Sequence, residues 1–270
     1  IRGSSGYSRG VGTRVLVALD GVPFYSGDTG EIVWEVLPLT AIERIEVIKG
    51  AASSLYGSTA IGGVINVITK RINSEPSFYF KSTFGAYDKP AYKTWDWSGE
   101  YRFYNSATLA HSNRIGNLGY KLSFTRNENQ SYRQSGFYTR HLGFIKAEYD
   151  FTPSTSVGLL INGHQGVSGN FLYWKDSRNV LVPPDADQGQ KTRSFRIMNA
   201  LLLKHVVNSS LFFDLKGSYY RTKWEDETVS QNTSTTHLLR GELQGTYQVG
   251  EKMVLVSGGE ISTGKVNSNI

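Results

Sequence analysis

The chain has 270 residues, a net charge of +6 and no cysteine, so disulfides and thiolate metal sites are excluded. Its 29 Lys and Arg residues only slightly exceed its 23 Asp and Glu residues and form no dense basic run, which disfavours nucleic-acid binding. No apolar run approaches the roughly 20 residues of a transmembrane helix, so this chain can cross a membrane only as a closed barrel of strands.

Residues 1–72 are predicted to hold short strands separated by turns. Three segments rich in β-branched residues are predicted as strands, at residues 14–19, 45–48 and 63–70. Asp20 and Gly21 supply the turn after the first of these strands, because glycine tolerates positive φ. A short helical turn is expected at residues 38–42.

From about residue 76 the pattern changes to long segments in which apolar and polar side chains alternate. In one such segment Leu211, Phe213 and Leu215 fall on one face, while Asp214 and Lys216 fall on the other. This period of two is typical of strands whose two faces meet different surroundings.

The predicted connections between these strands alternate between short and long. Short ones are expected at residues 115–119, 152–155, 207–210 and 249–252, and long ones at residues 127–136, 166–191 and 225–236. Transmembrane barrels have short periplasmic turns and long extracellular loops around strands of this length. Aromatic residues near strand ends fit the aromatic girdles of such barrels: Tyr149, Phe151, Tyr219, Tyr220 and Tyr247.

Residues 37–70 carry linked motifs: Leu-Pro, then IERIEVIKG, Leu-Tyr-Gly and finally GGVIN. Together with Arg2-Gly3 and VLVALDGVP at residues 15–23, they resemble the plug domain of TonB-dependent outer-membrane receptors. The resemblance implies a mostly β protein of two parts. Residues 1–72 would be the C-terminal part of a plug domain with a mixed α/β sheet. Residues 73–270 would be the N-terminal, incomplete part of an antiparallel transmembrane β-barrel, about nine of roughly 22 strands.

The resemblance also implies a function. We expect import of a scarce, large solute across the outer membrane, with the plug gating the barrel and no enzymatic activity. The expected partners are outer-membrane lipid, the solute and TonB, which would bind an N-terminal segment that this chain does not include. No resident cofactor, metal site or nucleic-acid partner is expected.

Candidate solute contacts lie at the apex of the expected plug and in the long loops. Phe24, Tyr25, Ser26 and Asp28 occupy the position of an apical plug loop, and Tyr56 is a further candidate. The loop candidates are aromatic or cationic: Trp95, Trp97, Tyr173, Trp174, Lys175 and Arg178. Such groups suit an anionic, partly aromatic solute through cation–π and charge-assisted contacts.

A ferric siderophore is the favoured solute, with cobalamin and haem as alternatives by the same mechanism. The GGVIN ending differs from the Asn-Gly-Val ending common in the polysaccharide-importing branch. The five histidines are scattered along the chain, which gives haem less support.

Glu43, Arg44 and Glu46 interrupt an apolar segment of the expected plug. Their charges are predicted to face the barrel lumen and to hold the plug against the wall without an apolar interface. A solvated strand face is the alternative for these residues.

Two other classes of protein remain open at this stage. An outer-membrane enzyme would need a hydrolytic set such as His164 with Ser168 or Asp176. A soluble β-sandwich binding module would need the apolar faces of the strands to meet in one inner core.

Overall fold

The computed structural model of the protein describes residues 15–30, 32, 34–50, 60, 62–227 and 231–269. In these ranges the chain forms two sheets, a small sheet of four strands followed by a large sheet of nine. The predicted fold class, a mixed sheet followed by about nine antiparallel strands, is confirmed.

The small sheet contains one parallel and two antiparallel strand pairs. Its strands are β1 (Val15–Leu19), β2 (Val22–Pro23), β3 (Ile42–Lys49) and β4 (Gly63–Thr69), in the order β2-β1-β4-β3. β1 runs parallel to β4, and the other pairs are antiparallel. Asp20 and Gly21 both have positive φ, 49° and 76°, which explains the turn pair between β1 and β2. The predicted helical turn is present as a short 3-10 helix at Leu39–Ala41.

The three strands predicted here are confirmed where the structure describes them. β3 begins at Ile42, three residues earlier than predicted, because Ile42 still pairs with Thr69 beyond an irregularity in the register.

The large sheet is an antiparallel meander in which each strand pairs with its neighbours in sequence. Its strands are β5 (Ser77–Tyr87), β6 (Arg102–Ile115), β7 (Leu118–Asn129), β8 (Tyr138–Thr152), β9 (Thr155–Gly169), β10 (Lys191–Val206), β11 (Leu211–Glu227), β12 (Thr233–Val249) and β13 (Met253–Ser268). Each has at least the roughly 9–11 residues that a tilted strand needs to cross a bilayer core.

The connections of the large sheet alternate as predicted. Short turns lie at residues 116–117, 153–154, 207–210 and 250–252, and this edge of the sheet is called the turn end. Long connections at residues 88–101, 130–137 and 170–190 lie at the opposite edge, which is called the loop end.

The predicted bounds of the long connection at residues 225–236 are wrong. β11 continues to Glu227 and β12 begins at Thr233, because the ladder extends through the pair Trp224 and Ser234. Both of these side chains bind Asp28, in the loop that follows β2, which gives this part of the ladder contacts that its own sequence does not reveal.

The two faces of the large sheet have different surroundings. The inner face packs on the small sheet in one core that includes Phe144, Leu160, Met198, Val17 and Phe24. The outer face is the opposite one. It carries exposed apolar side chains, among them Leu201, Leu203, Leu215, Leu239 and Leu243.

The outer row does not converge on any other described part of the chain, which is the opposite of what a soluble β-sandwich requires. The prediction that Tyr220 belongs to an aromatic girdle is wrong. Tyr220 lies on the inner face, and its ring stacks on Phe24 with centroids 5.4 Å apart. No helix in the described ranges has the length and apolar character needed to cross a membrane.

Candidate functional site

The apical loop, residues 24–30, follows β2 and lies against the inner face of the large sheet. Phe24 is only 1% exposed, and Tyr220 covers its ring. Ser26 is also buried, with its hydroxyl 3.4 Å from the hydroxyl of Thr222. A direct contact between Phe24 and a solute would therefore require the loop to move.

Tyr25 binds the large sheet through its phenol. The guanidinium of Arg240 donates a 2.6 Å hydrogen bond to the Tyr25 hydroxyl and lies 5.6 Å from the centre of its ring. Arg240 also forms an ion pair with Glu260 at 3.4 Å, so β12 and β13 together hold this end of the loop.

Asp28 is the most heavily bonded residue of the apical loop. Its carboxylate accepts hydrogen bonds from Trp224 Nε1 and Ser234 Oγ, each at 2.8 Å, and from the hydroxyl of Ser26. The backbone N–H of Thr29 donates a further bond of 2.8 Å. Burial alone would raise the pKa of Asp28, but the bonds from Ser26, Trp224, Ser234 and Thr29 outweigh it and lower this pKa to about 2. Asp28 is therefore an anion at neutral pH, and its charge is already satisfied by these partners.

A cavity of about 400 Å³ lies between the apical loop and the inner face near the loop end. Its lining is rich in polar and charged side chains: Ser26, Asp28, Thr29, Glu35, Arg140, His164, Ser168, Thr192, Ser194, Arg196, Trp224 and Asp226. Alternation places Arg140, His164 and Arg196 here, because each lies at an inner position of its strand.

Several donors of this cavity have little or no competition from protein acceptors. The closest carboxylate to Arg140 is Glu35, at 3.8 Å. Among the described residues, buried Nη1 of Arg196 and Nδ1 of His164 have no hydrogen-bond partner. The cavity can therefore offer nitrogen donors to a solute that carries oxygen acceptors or negative charge.

The same geometry argues against a hydrolytic triad. A triad needs a carboxylate on Nδ1 of the histidine, and Nδ1 of His164 has no partner in the described part of the chain. Asp176 instead lies in the long connection at residues 170–190 and accepts bonds from the backbone N–H groups of Arg178 and Asn179.

The structure does not bring the aromatic loop candidates into this cavity. Trp97 donates a 2.8 Å bond to the carbonyl of Tyr132, and Trp95 packs edge-on against Tyr92 at 4.5 Å. Both tryptophans line a separate cavity of about 140 Å³ at the loop end.

The candidates in residues 170–190 are largely exposed. Tyr173 and Trp174 are 66% and 64% exposed, and Lys175 pairs with Asp185 at 2.6 Å. Arg178 is also exposed. Their role in solute binding stays a prediction, as does that of Tyr56, which lies outside the described residues.

Glu43, Arg44 and Glu46 lie on β3, at the edge of the small sheet. Arg44 pairs with Glu43 at 3.2 Å and with Glu46 at 2.8 Å, and all three side chains are about half exposed. Their predicted role in holding the plug against the barrel stays a prediction.

Polar contacts also join the large sheet to residues 15–69, through side chains that had not been predicted as contacts. Lys146 on β8 reaches the carboxylate of Asp20 at 3.2 Å and the hydroxyl of Thr69 at 3.0 Å. Asn162 donates a 3.0 Å bond to the carbonyl of Val36. The alternation of side chains along β8 and β9 places Lys146 and Asn162 on the inner face, but it does not identify the groups that they bind.

Comparisons with known proteins agree with this architecture. Residues 1–64 match the family model of the TonB-dependent receptor plug domain. Over 75 residues the chain is 43% identical to the vitamin B12 transporter BtuB of Vibrio cholerae serotype O1, a match that covers 28% of this chain and 12% of that protein.

Two solved structures share the fold over nearly the whole chain. The siderophore receptor PirA of Pseudomonas aeruginosa aligns with a TM-score of 0.71 at 20% identity, covering 97% of this chain and 42% of that one. The unliganded ferric citrate transporter FecA aligns with a TM-score of 0.74 at 15% identity, covering 96% and 40%. The chain thus spans less than half the length of the structures it matches.

Residues 1–64 thus have the sequence of a TonB-dependent receptor plug domain, and the chain over nearly its whole length shares the fold of the solved receptors PirA and FecA.

Proposed function

We propose that the complete receptor imports a ferric siderophore across the outer membrane, with energy supplied through TonB. The observation that carries the proposal is the cavity beneath the loop end. There Arg140 and Arg196 present donors and His164 presents a ring nitrogen with no partner among the described residues, while the carboxylate of Asp28 is already satisfied by its own partners. An anionic, oxygen-rich iron chelate matches such a cavity.

We further infer that the plug occupies residues 1–72 and the barrel strands residues 73–270. This division is supported by the gap between β4, which ends at Thr69, and β5, which begins at Ser77. No strand of one sheet pairs with a strand of the other in the described ranges.

The apical loop supplies a route for coupling the two sides of the membrane. A solute in the cavity touches the loop beside Asp28, and the loop continues directly from β2 at the edge of the small sheet. Binding energy that differs between two positions of this loop would bias the plug towards engagement with TonB. In this proposal the protein is a transporter and not an enzyme.

Cobalamin is the second candidate solute, since sequence matches of 75 and 64 residues are to vitamin B12 transporters. The sequence matches and the cavity chemistry thus favour different solutes, and uptake measurements distinguish them.

The test uses the complete receptor in a strain that lacks it, with and without TonB. Uptake of labelled ferric siderophores of catecholate, hydroxamate and carboxylate type is measured, with cobalamin and haem as separate arms. We expect TonB-dependent uptake of at least one siderophore. Arg196→Gln should raise its half-saturating concentration about ten-fold or more, the value of a lost charged hydrogen bond.

The matched control is Arg126→Gln, which removes an arginine from the outer face and should leave uptake unchanged. Uptake of cobalamin or haem without uptake of any siderophore would rule out a ferric siderophore as the solute. Siderophore uptake that persists without TonB would reject the mechanism.

A further inference from the structure

A second and larger cavity lies between residues 35–41 and the inner face of β5 to β8. Its volume is about 710 Å³, against about 400 Å³ for the solute cavity beside the apical loop. Most of its lining on β5, β6 and β7 bears hydroxyl groups, and the cavity is called the hydroxyl groove. The lining side chains include Ser77, Ser106, Thr108, Ser112, Ser123 and Thr125.

The hydroxyl groove runs along the strands from the loop end towards the turn end. On β6 its lining extends from Ser106 to Ser112, six residues or about 20 Å. Thr108 and Thr125 lie side by side in the middle of this stretch, with their hydroxyls 3.0 Å apart. The groove therefore covers much of the roughly 30 Å thickness of a bilayer core.

The hydroxyl groove adjoins the solute cavity at Glu35, which lines both. Arg140, whose guanidinium lies 3.8 Å from the Glu35 carboxylate, lines the solute cavity, and its partner across the ladder, Asn127, lines the groove. The side chain of Glu35 is 52% exposed, and an exposed ion pair contributes little to stability. An anionic solute that binds Arg140 competes with Glu35 and so opens the way into the groove.

Residues 15–69 are attached to the large sheet mainly on the other side. Their hydrogen bonds reach β8 at Lys146, β9 at Asn162, β11 at Trp224 and β12 at Ser234. The buried side chains that the large sheet gives to the shared apolar core also come from β8 to β11. Passage along β5 to β7 would leave most of these contacts in place.

Residues 70–76, between β4 and β5, lie across the turn end of the hydroxyl groove. Nζ of the buried Lys121 donates a 3.0 Å bond to the carbonyl of Arg71. The backbone N–H of Asn73 donates a 3.4 Å bond to the hydroxyl of Ser112. The segment is thus held against β6 and β7 by separate hydrogen bonds and not by a strand ladder, so a small displacement opens this end.

Hydroxyl groups suit a path better than a binding site. Each hydroxyl can donate or accept, and one neutral hydrogen bond contributes little net binding energy. A polar solute can exchange its water for a series of such bonds, and conduction requires sites that are weak enough to leave. The charged donors that hold the solute are concentrated in the neighbouring cavity instead.

We propose that the imported solute passes along the hydroxyl groove, which it enters between Glu35 and Arg140, and that residues 70–76 close the far end until the plug is displaced. The path rests on the proposed import but not on which solute is imported. The energy supplied through TonB then has to move residues 70–76 and does not have to pull the whole plug from the barrel.

A single cysteine in the complete receptor tests the path. Ser123→Cys is labelled on cells with a methyl or a bulky biotin methanethiosulfonate reagent, in a background where the receptor without this cysteine takes no label. TonB-dependent uptake is measured with whichever solute the wild type imports. The bulky label should lower the uptake rate about ten-fold or more and the methyl label less than about two-fold, because only the bulky group fills the groove. Solute binding at the cell surface without TonB should be unchanged.

Thr246→Cys is the matched control, because it places the same labels on the inner face of β12, outside the lining of the groove. Uptake should be unchanged there. Normal uptake by Ser123→Cys with the bulky label, an equal loss in the control, or a loss of surface binding would overturn the path. A wild type that imports none of the siderophores, cobalamin or haem would instead overturn the proposed import.

The closing segment is tested in a strain without TonB, so that the result does not depend on import. Lys121→Met combined with Ser112→Ala removes both bonds to residues 70–76. This should increase entry of a glycopeptide antibiotic too large for porins by about ten-fold, the value of a lost charged hydrogen bond. Lys204→Met with Ser218→Ala is the control, because both residues lie at inner positions of β10 and β11, away from the segment. Unchanged entry in the first variant would overturn the closing role of residues 70–76.

Discussion

At the scale of single residues, Asp28 connects the apical loop to two strands of the large sheet. Its carboxylate takes bonds from Trp224 on β11 and from Ser234 on β12, while Ser26 and Thr29 hold it from within the loop. The sequence marked Asp28 as a solute contact. That role stays a prediction, and the observed partners of Asp28 also make it an anchor of the loop beside the cavity.

The low pKa of Asp28 predicts a dependence of plug stability on pH. The stabilisation by the charged form is complete above the unfolded pKa of about 3.9 and is lost as pH falls through the folded value of about 2. After allowance for partial solvent exposure, we expect a loss on the order of 1–2 kcal/mol between pH 4 and pH 2.

The measurement is the urea concentration at which Val67→Cys, fully buried in the small sheet, becomes reactive to a thiol reagent active in acid. The chain has no other cysteine. Asp28→Asn should be less stable at pH 4 and should lose less between pH 4 and pH 2. An equal loss in both proteins would show that Asp28 is not the titrating group.

Lys146 and Asp20 form a second polar link between the sheets. Both side chains are largely buried, and the carboxylate of Asp20 also accepts bonds from the N–H and hydroxyl of Thr69, at 2.7 and 2.6 Å. Because Lys146→Met leaves this carboxylate without its cation, we expect a loss of about 3 kcal/mol in the same urea assay.

The double variant Asp20→Asn with Lys146→Met, compared with the two single variants, measures the interaction energy between these two side chains. We expect a coupling energy above about 1 kcal/mol, whereas distant residues add within about 0.5 kcal/mol. Lys204→Met is the control, because Lys204 is an exposed inner-face lysine near the turn end. Additive effects of Asp20→Asn and Lys146→Met would mean that the two side chains do not stabilise each other.

At the scale of strands, the period-two pattern carries most of the structural information. Leu203, Leu215 and Leu243 come from three strands and lie side by side on the outer face because their register is in phase. One step along each strand, Lys204, Asp214 and Gln244 lie side by side on the inner face.

This alternation predicts that one substitution destabilises the protein much more on the outer face than on the inner face. Leu215→Arg places a charge near the middle of the apolar stretch of β11 and should cost about 2–4 kcal/mol in the complete receptor folded into a bilayer. Asp214→Arg adds the same side chain at the neighbouring inner position and should cost less than 1 kcal/mol. The check is reversible folding into lipid vesicles across a urea gradient, and equal costs would contradict the assignment of the faces.

The sequence predicted the strands and their faces well, because both follow from local alternation. It failed where contacts between distant segments decide the outcome. β11 and β12 run further than predicted, as Trp224 and Ser234 gain partners on the apical loop. Tyr220 was assigned to a girdle, yet it faces inward and packs on Phe24.

At the scale of the molecule, the family motif predicted that a small sheet precedes a wall of strands. It did not predict which residues join them, since Asp20 carries a turn signal and Lys146 is one of several inward charges. The cavity beside the apical loop combines side chains from the loop, β8, β9, β10 and β11. Its unpaired donors could therefore be found only once the sheets were placed together.

We expect the large sheet to have lipid on its outer face and the plug on its inner face. Single spin labels placed by cysteine substitution at Leu203, Leu215 and Leu243, and at Lys204, Asp214 and Gln244, test it in the complete receptor reconstituted in a bilayer. We predict that the first three labels collide with oxygen and are shielded from a water-soluble nickel chelate, and that the inner three are not exposed to lipid. Shielding of the first three from both reagents, as in a closed protein core, would contradict the account.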